Sequence, residues 1–163
     1  MQKLILFILF SFYTVTSFAQ VEIKTLTAKQ VYDLIQQSDK ASVVKFWVPN
    51  CANNVEIVKD YKELISKYGK KIDFYLMGIT AKEELVQELI HKTDFNYPLY
   101  IINVEKDISL IEKRSVFEEE FLNLFNMPLQ EFITVYISKD RQIEEISTNI
   151  EHNNQILNKF SER

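Results

Sequence analysis

The spacing of apolar residues along the chain alternates between intervals of three and four, which indicate an amphipathic helix, and short continuous runs, which indicate a buried strand. The first helical pattern follows Thr27, which has Gln30 three residues later in the spacing of a capping box. The pattern therefore predicts a helix over residues 28 to 37.

The most informative part of the pattern is the change from strand to helix around the single cysteine. A compact run of β-branched and aromatic residues over positions 42 to 48 predicts a buried strand that Pro49 ends. Apolar residues then recur at helical steps from Ala52 as far as Gly69, which stands where a C-terminal cap belongs. The pattern thus places Cys51 between a strand and the N-terminus of the helix that follows it.

The remaining pattern continues the alternation of strands and helices. It predicts a strand over 71 to 78, a helix capped by Thr80 and Glu83, a strand over 99 to 102, a helix that carries Val116 to Phe125, a hairpin of strands 132 to 137 and 142 to 147, and a final helix that begins at Thr148 or Asn149 and buries Ile150. This order predicts one α/β domain over residues 20 to 163, with a largely parallel sheet that ends in an antiparallel pair.

The first nineteen residues do not fit that domain. Lys3 precedes an apolar run, and Ser17 and Ala19 are small residues at the two positions that a signal peptidase recognises. We therefore predict a signal peptide over residues 1 to 19 and a periplasmic or secreted protein. The alternative is that the segment is retained as an N-terminal membrane anchor.

Charge and metal-ligand spacing exclude several classes of function. The chain has a formal net charge of −4 and no basic block, which argues against a nucleic-acid partner. His91 and His152 lie far apart in sequence and neither pairs with Cys51 at ligand spacing, so no metal site is predicted. No motif predicts a cofactor. The three consecutive carboxylates that begin at Glu118 are interpreted as a solvated helix face.

One segment resembles a known family. The strand that ends in Phe46 and Trp47 and leads four residues later to Cys51 is similar to the thioredoxin-type segment that carries Cys-x-x-Cys. Tyr97-Pro98 and the hairpin residues from Phe132 onward are similar to the exported TlpA/ResA-like branch of that superfamily. The resemblance implies a thioredoxin-like fold, with a central mixed sheet of four to five strands flanked by helices, a C-terminal hairpin and a closing helix.

The chain departs from the family pattern at the site itself. Asn54 stands where the family has its second, resolving cysteine, so the chain alone has no nucleophile to release a mixed disulfide. Phe132, or Pro128 in another register, stands where the family has a cis-proline. Asn50 replaces the aromatic residue that usually precedes the first cysteine, and Lys45 occupies a position where an acidic or amide side chain is common.

Two hypotheses follow from these residues. The first is a degenerate monothiol redox protein, in which main-chain amides at the helix start stabilise a Cys51 thiolate that reacts with protein or small-molecule thiols and disulfides. Lys45 would assist if its ammonium points toward the sulfur, and otherwise would lie along the surface with a solvated head. Trp47 and Phe132 would shape the contact.

The second hypothesis is a non-catalytic binding module that keeps the fold and uses the groove around Asn50, Asn53, Asn54 and Phe132 for a peptide or protein partner. A peroxidatic role is disfavoured, because Val48 and Val44 stand where peroxiredoxin-like chains place a hydroxyl residue and a proline.

Overall fold

The computed structural model of the protein describes residues 21, 23–105 and 107–162. The predicted signal peptide and its cleavage after Ala19 lie outside the described residues. Eleven elements follow one another along the described chain. They are β1 (Lys24–Leu26), α1 (Ala28–Gln37), β2 (Ala41–Trp47), α2 (Asn54–Tyr68), β3 (Ile72–Gly78), α3 (Glu83–Thr93), β4 (Tyr100–Ile102), α4 (Leu110–Leu124), β5 (Thr134–Ile137), β6 (Ile143–Ser147) and α5 (Asn154–Glu162).

The six described strands form one mixed sheet in the order β1-β4-β3-β2-β5-β6. The first four in this order run parallel, and β5 and β6 are antiparallel to their neighbours. Strand β2 lies at the centre, where it pairs with β3 on one side and β5 on the other, and all seven of its residues are buried. The loop after β2 therefore starts from the most enclosed strand of the sheet.

Helices cover both faces of this sheet. Helices α1 and α4 pack on one face, where Val44 and Phe46 of β2 meet Phe117 of α4. Helices α2 and α3 cover the opposite face around Trp47, and α5 packs beside α2 at its far end. The alternation of side chains along β2 thus sends Phe46 and Trp47 into different cores.

Several predicted elements are confirmed. Helix α1 spans residues 28 to 37, and Thr27 and Gln30 form the capping box from both sides. The predicted hairpin is present as β5 and β6, joined through residues 138 to 142. The α/β class and the mixed sheet with its closing antiparallel pair and helix are also confirmed, although the described sheet has six strands rather than four to five. The additional strand, β1, pairs with β4 at the sheet edge.

Two predicted helix starts were wrong, and local hydrogen bonds explain both. The Thr80 hydroxyl accepts from the amide of Lys82 at 3.0 Å, so it closes a turn instead of capping a helix, and α3 begins at Glu83. The last helix begins at Asn154, because the side-chain oxygen of Asn153 accepts from the amides of the helix's first turn. Ile150 therefore lies in a loop and is 73% exposed.

Candidate functional site

A cavity of about 270 Å³ lies beyond the carboxyl end of β2, and Cys51 is one of the residues that line it. It is bounded by the end of β2, the first half of α2, Arg114 of α4, and the loop between β6 and α5. Its walls are largely apolar, and the lining residues are Lys45, Phe46, Trp47, Val48, Cys51, Ile57, Asp60, Tyr61, Ile79, Arg114, Ile133, Ile150 and His152. Among the predicted site residues, the structure brings Lys45, Trp47 and Cys51 together here.

Cys51 lies in the turn that connects β2 to α2. Its amide donates to the Val48 carbonyl at 3.2 Å, and its own carbonyl accepts from the amide of Asn54, the first residue of α2, at 3.3 Å. The residue is partly exposed and its thiol is free. The structure therefore places Cys51 three residues ahead of the first residue of α2, to which its carbonyl is hydrogen-bonded, and beside the cavity.

The three asparagines of the predicted site do not line the cavity. Asn54 is half-buried, and its side-chain amide donates to the Pro49 carbonyl at 2.8 Å, so it ties the turn around Cys51 to the start of α2. Asn50 and Asn53 are exposed, and Asn53 precedes α2 without a side-chain capping bond. Asn54 thus has an evident structural role in the turn.

Lys45 is 3% exposed, so the interpretation of a solvated ammonium is wrong. Its Nζ donates to the carbonyl of Ile150 at 2.5 Å and lies 3.4 Å from the hydroxyl of Thr134 on the paired strand β5. Burial lowers the pKa of Lys45 to about 8. The ammonium therefore holds the loop after β6 against the end of the sheet.

His152 is a cavity residue that sequence reasoning missed. Its ring lies 6.3 Å from that of Tyr61, and its Nδ1 is buried without a hydrogen-bond partner. Burial, and secondarily the charge of Lys45, lowers the pKa of His152 to about 4, so the ring is neutral near pH 7. No sequence spacing signals this proximity, because the hairpin brings His152 to Cys51 from a hundred residues away.

Trp47 and Tyr61 are two of the aromatic residues that line the cavity. Their rings meet edge to face with centroids 6.1 Å apart, and the Trp47 Nε1 is buried without a hydrogen-bond partner. Burial raises the pKa of Tyr61, and the negative charges that Cys51 and Asp60 can carry raise it further. The lone cysteine thus lies in the electrostatic range of a buried phenol.

The predicted contact residue Phe132 does not reach the cavity. It is fully buried and stacks on Phe46 with centroids 4.9 Å apart, in the core between the sheet and α4. The next residue, Ile133, lines the cavity instead, and Pro128 does not. Phe132 therefore belongs to the core, and its neighbour Ile133 lines the same cavity as Cys51.

Glu118 also departs from its predicted place on a solvated face, because it is 3% exposed. Its carboxylate accepts from Arg114 Nε at 3.0 Å and from the amide of Phe132 at 3.3 Å. Arg114 also donates to the Phe132 carbonyl at 2.7 Å. The pair therefore clamps both backbone groups of the residue that precedes Ile133.

The part of the chain that the structure describes contains neither a metal-binding cluster nor a membrane-spanning helix. No three His, Cys, Asp or Glu side chains are grouped so that they could hold a metal ion. None of the described helices is both long and apolar enough to span a bilayer.

Sequence comparisons identify no family for the chain. No protein-family model matches it. Protein Ycf2 of Psilotum nudum is 24% identical over 168 residues, which cover 96% of this chain, and the chain spans only 6% of that protein's length.

Solved structures share its architecture. A thiol:disulfide interchange protein of the thioredoxin family from Chlorobium tepidum TLS matches with a TM-score of 0.55 and 12% identity, over 83% of this chain and 90% of that one. MTB dsbF matches with a TM-score of 0.51 and 11% identity, over 86% and 96% of the two chains. A thioredoxin-like protein in its oxidized form has a TM-score of 0.50 and 15% identity, over 82% and 85%. The chain therefore has a thioredoxin-like fold.

Proposed function

We propose that this protein is an exported thiol-disulfide protein that acts through Cys51 as a monothiol. The observation that carries the proposal is the position of Cys51, partly exposed beside an apolar cavity at the end of the central strand. Support comes from the fold, since one protein of similar structure is named a thiol:disulfide interchange protein. A free thiol in a partly exposed turn is chemically able to attack a disulfide.

The reaction follows from the single thiol. The Cys51 thiolate attacks one sulfur of a disulfide, so that a Cys51–sulfur bond forms, the original sulfur–sulfur bond breaks, and the other half leaves as a thiolate that takes a proton from water. Because Asn54 stands at the position of a resolving cysteine, release needs a second thiol from another molecule. That thiol attacks the mixed disulfide, becomes oxidised to a disulfide, and returns Cys51 to the reduced state.

The cavity walls supply the contact surface for the bound half of the disulfide. Trp47 and Ile57 line the cavity, and Ile133 lines it in place of the predicted Phe132. Burial of the bound half against these side chains would favour its association by about 25 cal/mol for each Å² of apolar surface removed from water.

Mass spectrometry of the folded protein tests the proposal directly. Incubation with a small disulfide should add the mass of one half of the reagent, and a small thiol should remove it. The Cys51→Ser variant should remain unmodified. The same chain unfolded in urea serves as a positive control, and a thiol that reacts only after unfolding would contradict the proposal.

The Asn54→Cys variant tests the role of the missing second thiol. We expect it to form a disulfide with Cys51 and to catalyse reduction of a protein disulfide by dithiothreitol, which the unchanged chain would not. The Asn54→Ser variant loses the same side-chain amide and is the matched control. Equal activity of the two variants would remove support for a redox site at this turn.

A second candidate function, a non-catalytic binding module, is favoured by one observation. The cavity is largely apolar, and the side chains of Val48 and Ile150 that line it are exposed, so they could extend its surface to a peptide or protein. Partner binding that survives Cys51→Ser unchanged would support this candidate over the redox function.

Export rests on the N-terminal sequence. We propose that residues 1 to 19 direct the chain to a periplasmic or extracellular location and are removed after Ala19. Retention of the segment would leave the domain attached to a membrane instead. The intact mass of the protein recovered from its producing cells distinguishes the cleaved chain from the retained one.

A further inference from the structure

Lys45, one of the residues that line the cavity, is a buried cation without a charged partner among the described residues. The Lys45 ammonium donates to a carbonyl and lies near a hydroxyl, and among the described residues no carboxylate forms an ion pair with it. A buried charge without an opposite charge is costly, and its lowered pKa reflects that cost. An anion that entered the cavity would compensate it.

The other side chains that line the cavity leave room for an anion beside Lys45. The ring of His152 is neutral near pH 7, so it does not compete with Lys45 as a cation. Among the lining residues Asp60 is the one carboxylate, and it is exposed. The unpartnered Nε1 of Trp47 lies beside Gly78 on the β3 side of β2, whereas Lys45 Nζ lies on the β5 side, so the indole does not share a ligand with the ammonium. Lys45 is therefore the group that would bind a carboxylate here.

The size of the cavity limits what can bind. Its volume of about 270 Å³ is below the range of roughly 300 to 1,000 Å³ that is usual for drug-sized ligands. Apart from Arg114, which is paired with Glu118, the remaining walls are aliphatic and aromatic, which suits a short hydrocarbon chain between a sulfur and a charged group. A whole folded client would have to stay outside and insert only one side chain.

We propose that the cavity selects small disulfides that carry a carboxylate, which Lys45 binds while Cys51 attacks the nearer sulfur. This inference rests on the proposed thiol-disulfide function and names its substrate class. One half of the reagent becomes joined to Cys51 with its carboxylate beside Lys45, and the other half leaves as a thiolate and takes a proton from water. A small thiol from solution then releases the bound half as a new disulfide and regenerates the Cys51 thiol.

Three disulfides of similar length test the selection: dithiodipropionate, which is anionic, hydroxyethyl disulfide, which is neutral, and cystamine, which is cationic. Each rate of mixed-disulfide formation at pH 7 is divided by the rate for the same chain unfolded in urea, which removes the intrinsic reactivity of the reagent. We expect the normalised rate for dithiodipropionate to exceed that for hydroxyethyl disulfide by about tenfold, the effect of one charge-assisted hydrogen bond. The net charge of −4 by itself favours the opposite order.

Lys45→Met supplies the second arm, and Lys59→Met, the same change at an exposed position of α2, is its matched control. The anionic preference should fall to near unity in Lys45→Met and remain in Lys59→Met. Absence of the preference in the unchanged protein, or an equal loss of rate for all three reagents in Lys45→Met, would overturn the inference while leaving the thiol function intact. Failure of all three reagents to modify the folded protein would instead overturn the proposed function on which it rests.

Discussion

Arg114 and Lys45 are both cations at the same cavity, but their surroundings differ. Arg114 is paired with the carboxylate of Glu118, and the two side chains share the backbone groups of Phe132. Lys45 is more deeply buried, and among the described residues its Nζ has a carbonyl and a hydroxyl as hydrogen-bond partners and no carboxylate. One cation belongs to a closed network, and the charge of the other has no opposite charge paired with it in the described part of the chain.

This difference separates a structural charge from a candidate functional one. A network in which each member has its partner fixes the local geometry, which here is the path of the chain into β5. Removal of a single member from such a network lowers the stability of the fold. An uncompensated buried charge lowers stability, and proteins depart from local rules in this way mainly at functional sites. The comparison therefore predicts that the same substitution will have unequal effects at the two positions.

Arg114→Met should give the largest effect. It leaves the Glu118 carboxylate buried with only the Phe132 amide as a donor and removes the guanidinium from the Phe46 ring. We expect the free energy of unfolding to fall by roughly 3 kcal/mol, the usual cost of removing one partner of a buried pair. Urea denaturation measures this. Arg114→Lys keeps the charge and should lose less, and a loss below about 1 kcal/mol in Arg114→Met would contradict the comparison.

Glu118→Leu should give the second largest loss in the free energy of unfolding. The change orphans the amide of Phe132 and leaves Arg114 without its carboxylate, but the arginine side chain is 31% exposed and can recover part of its hydration. We expect a loss of about 2 kcal/mol in the free energy of unfolding. The neighbouring Glu119→Leu, at an exposed position, is the control and should change little. Equal losses in the two variants would show that the pair does not stabilise the fold.

His152, whose ring lies near enough to Lys45 to feel its charge, should make the stability of the protein depend on pH. Its pKa is about 4 in the folded protein, against an ordinary value of 6.5, so the unfolded chain binds the proton first as pH falls. The contribution of His152 is complete above about pH 6.5 and is lost as pH falls toward 4. Because the residue is partly exposed, we expect the free energy of unfolding to fall by roughly 1 kcal/mol over this range.

Urea denaturation at pH 7 and pH 4.5 should show this loss in the unchanged protein and a smaller one in His152→Gln. The substitution removes the titrating group and leaves the carboxylates of the chain in place, so the difference between the two chains isolates His152. Parallel curves for the two chains would place His152 in a solvated position, contrary to the structure.

Much of the fold was predictable because local signals and burial agree. The capping box at Thr27 and the strand before Pro49 placed α1 and β2 correctly to within a residue. The start of the last helix was missed because the Ser147 hydroxyl accepts from the amide of Asn149 in a turn, Lys45 contacts the carbonyl of Ile150, and Asn153 caps the helix further along the chain. Strand β1 was missed because a three-residue strand at a sheet edge carries little periodicity.

The candidate site was predictable only where it lies in continuous sequence. Trp47 and Cys51 are linked by the short loop after β2, so their shared position at the cavity followed from spacing. His152 and Arg114 come from distant elements, and only the hairpin and α4 bring them there. Phe132, which the sequence offered with Pro128 as the alternative, does not line the cavity, because a one-residue shift in the segment before β5 exchanges the core for the cavity.

Lys45→Met should give the smallest effect on stability, although Lys45 is the more buried of the two cations. Methionine has a similar length and fills the same apolar space. The groups that lose their hydrogen bond to lysine are a neutral hydroxyl and the carbonyl of an exposed loop residue, and no carboxylate is left unpaired. Replacement of a buried charge by a hydrocarbon side chain is often neutral or stabilising. We expect a change within about 1 kcal/mol of zero at pH 7, measured by urea denaturation beside Arg114→Met. A loss as large as that of Arg114→Met would mean that the Lys45 ammonium holds the fold together through Ile150, and the contrast between the two cations would no longer support a ligand-binding charge in the cavity.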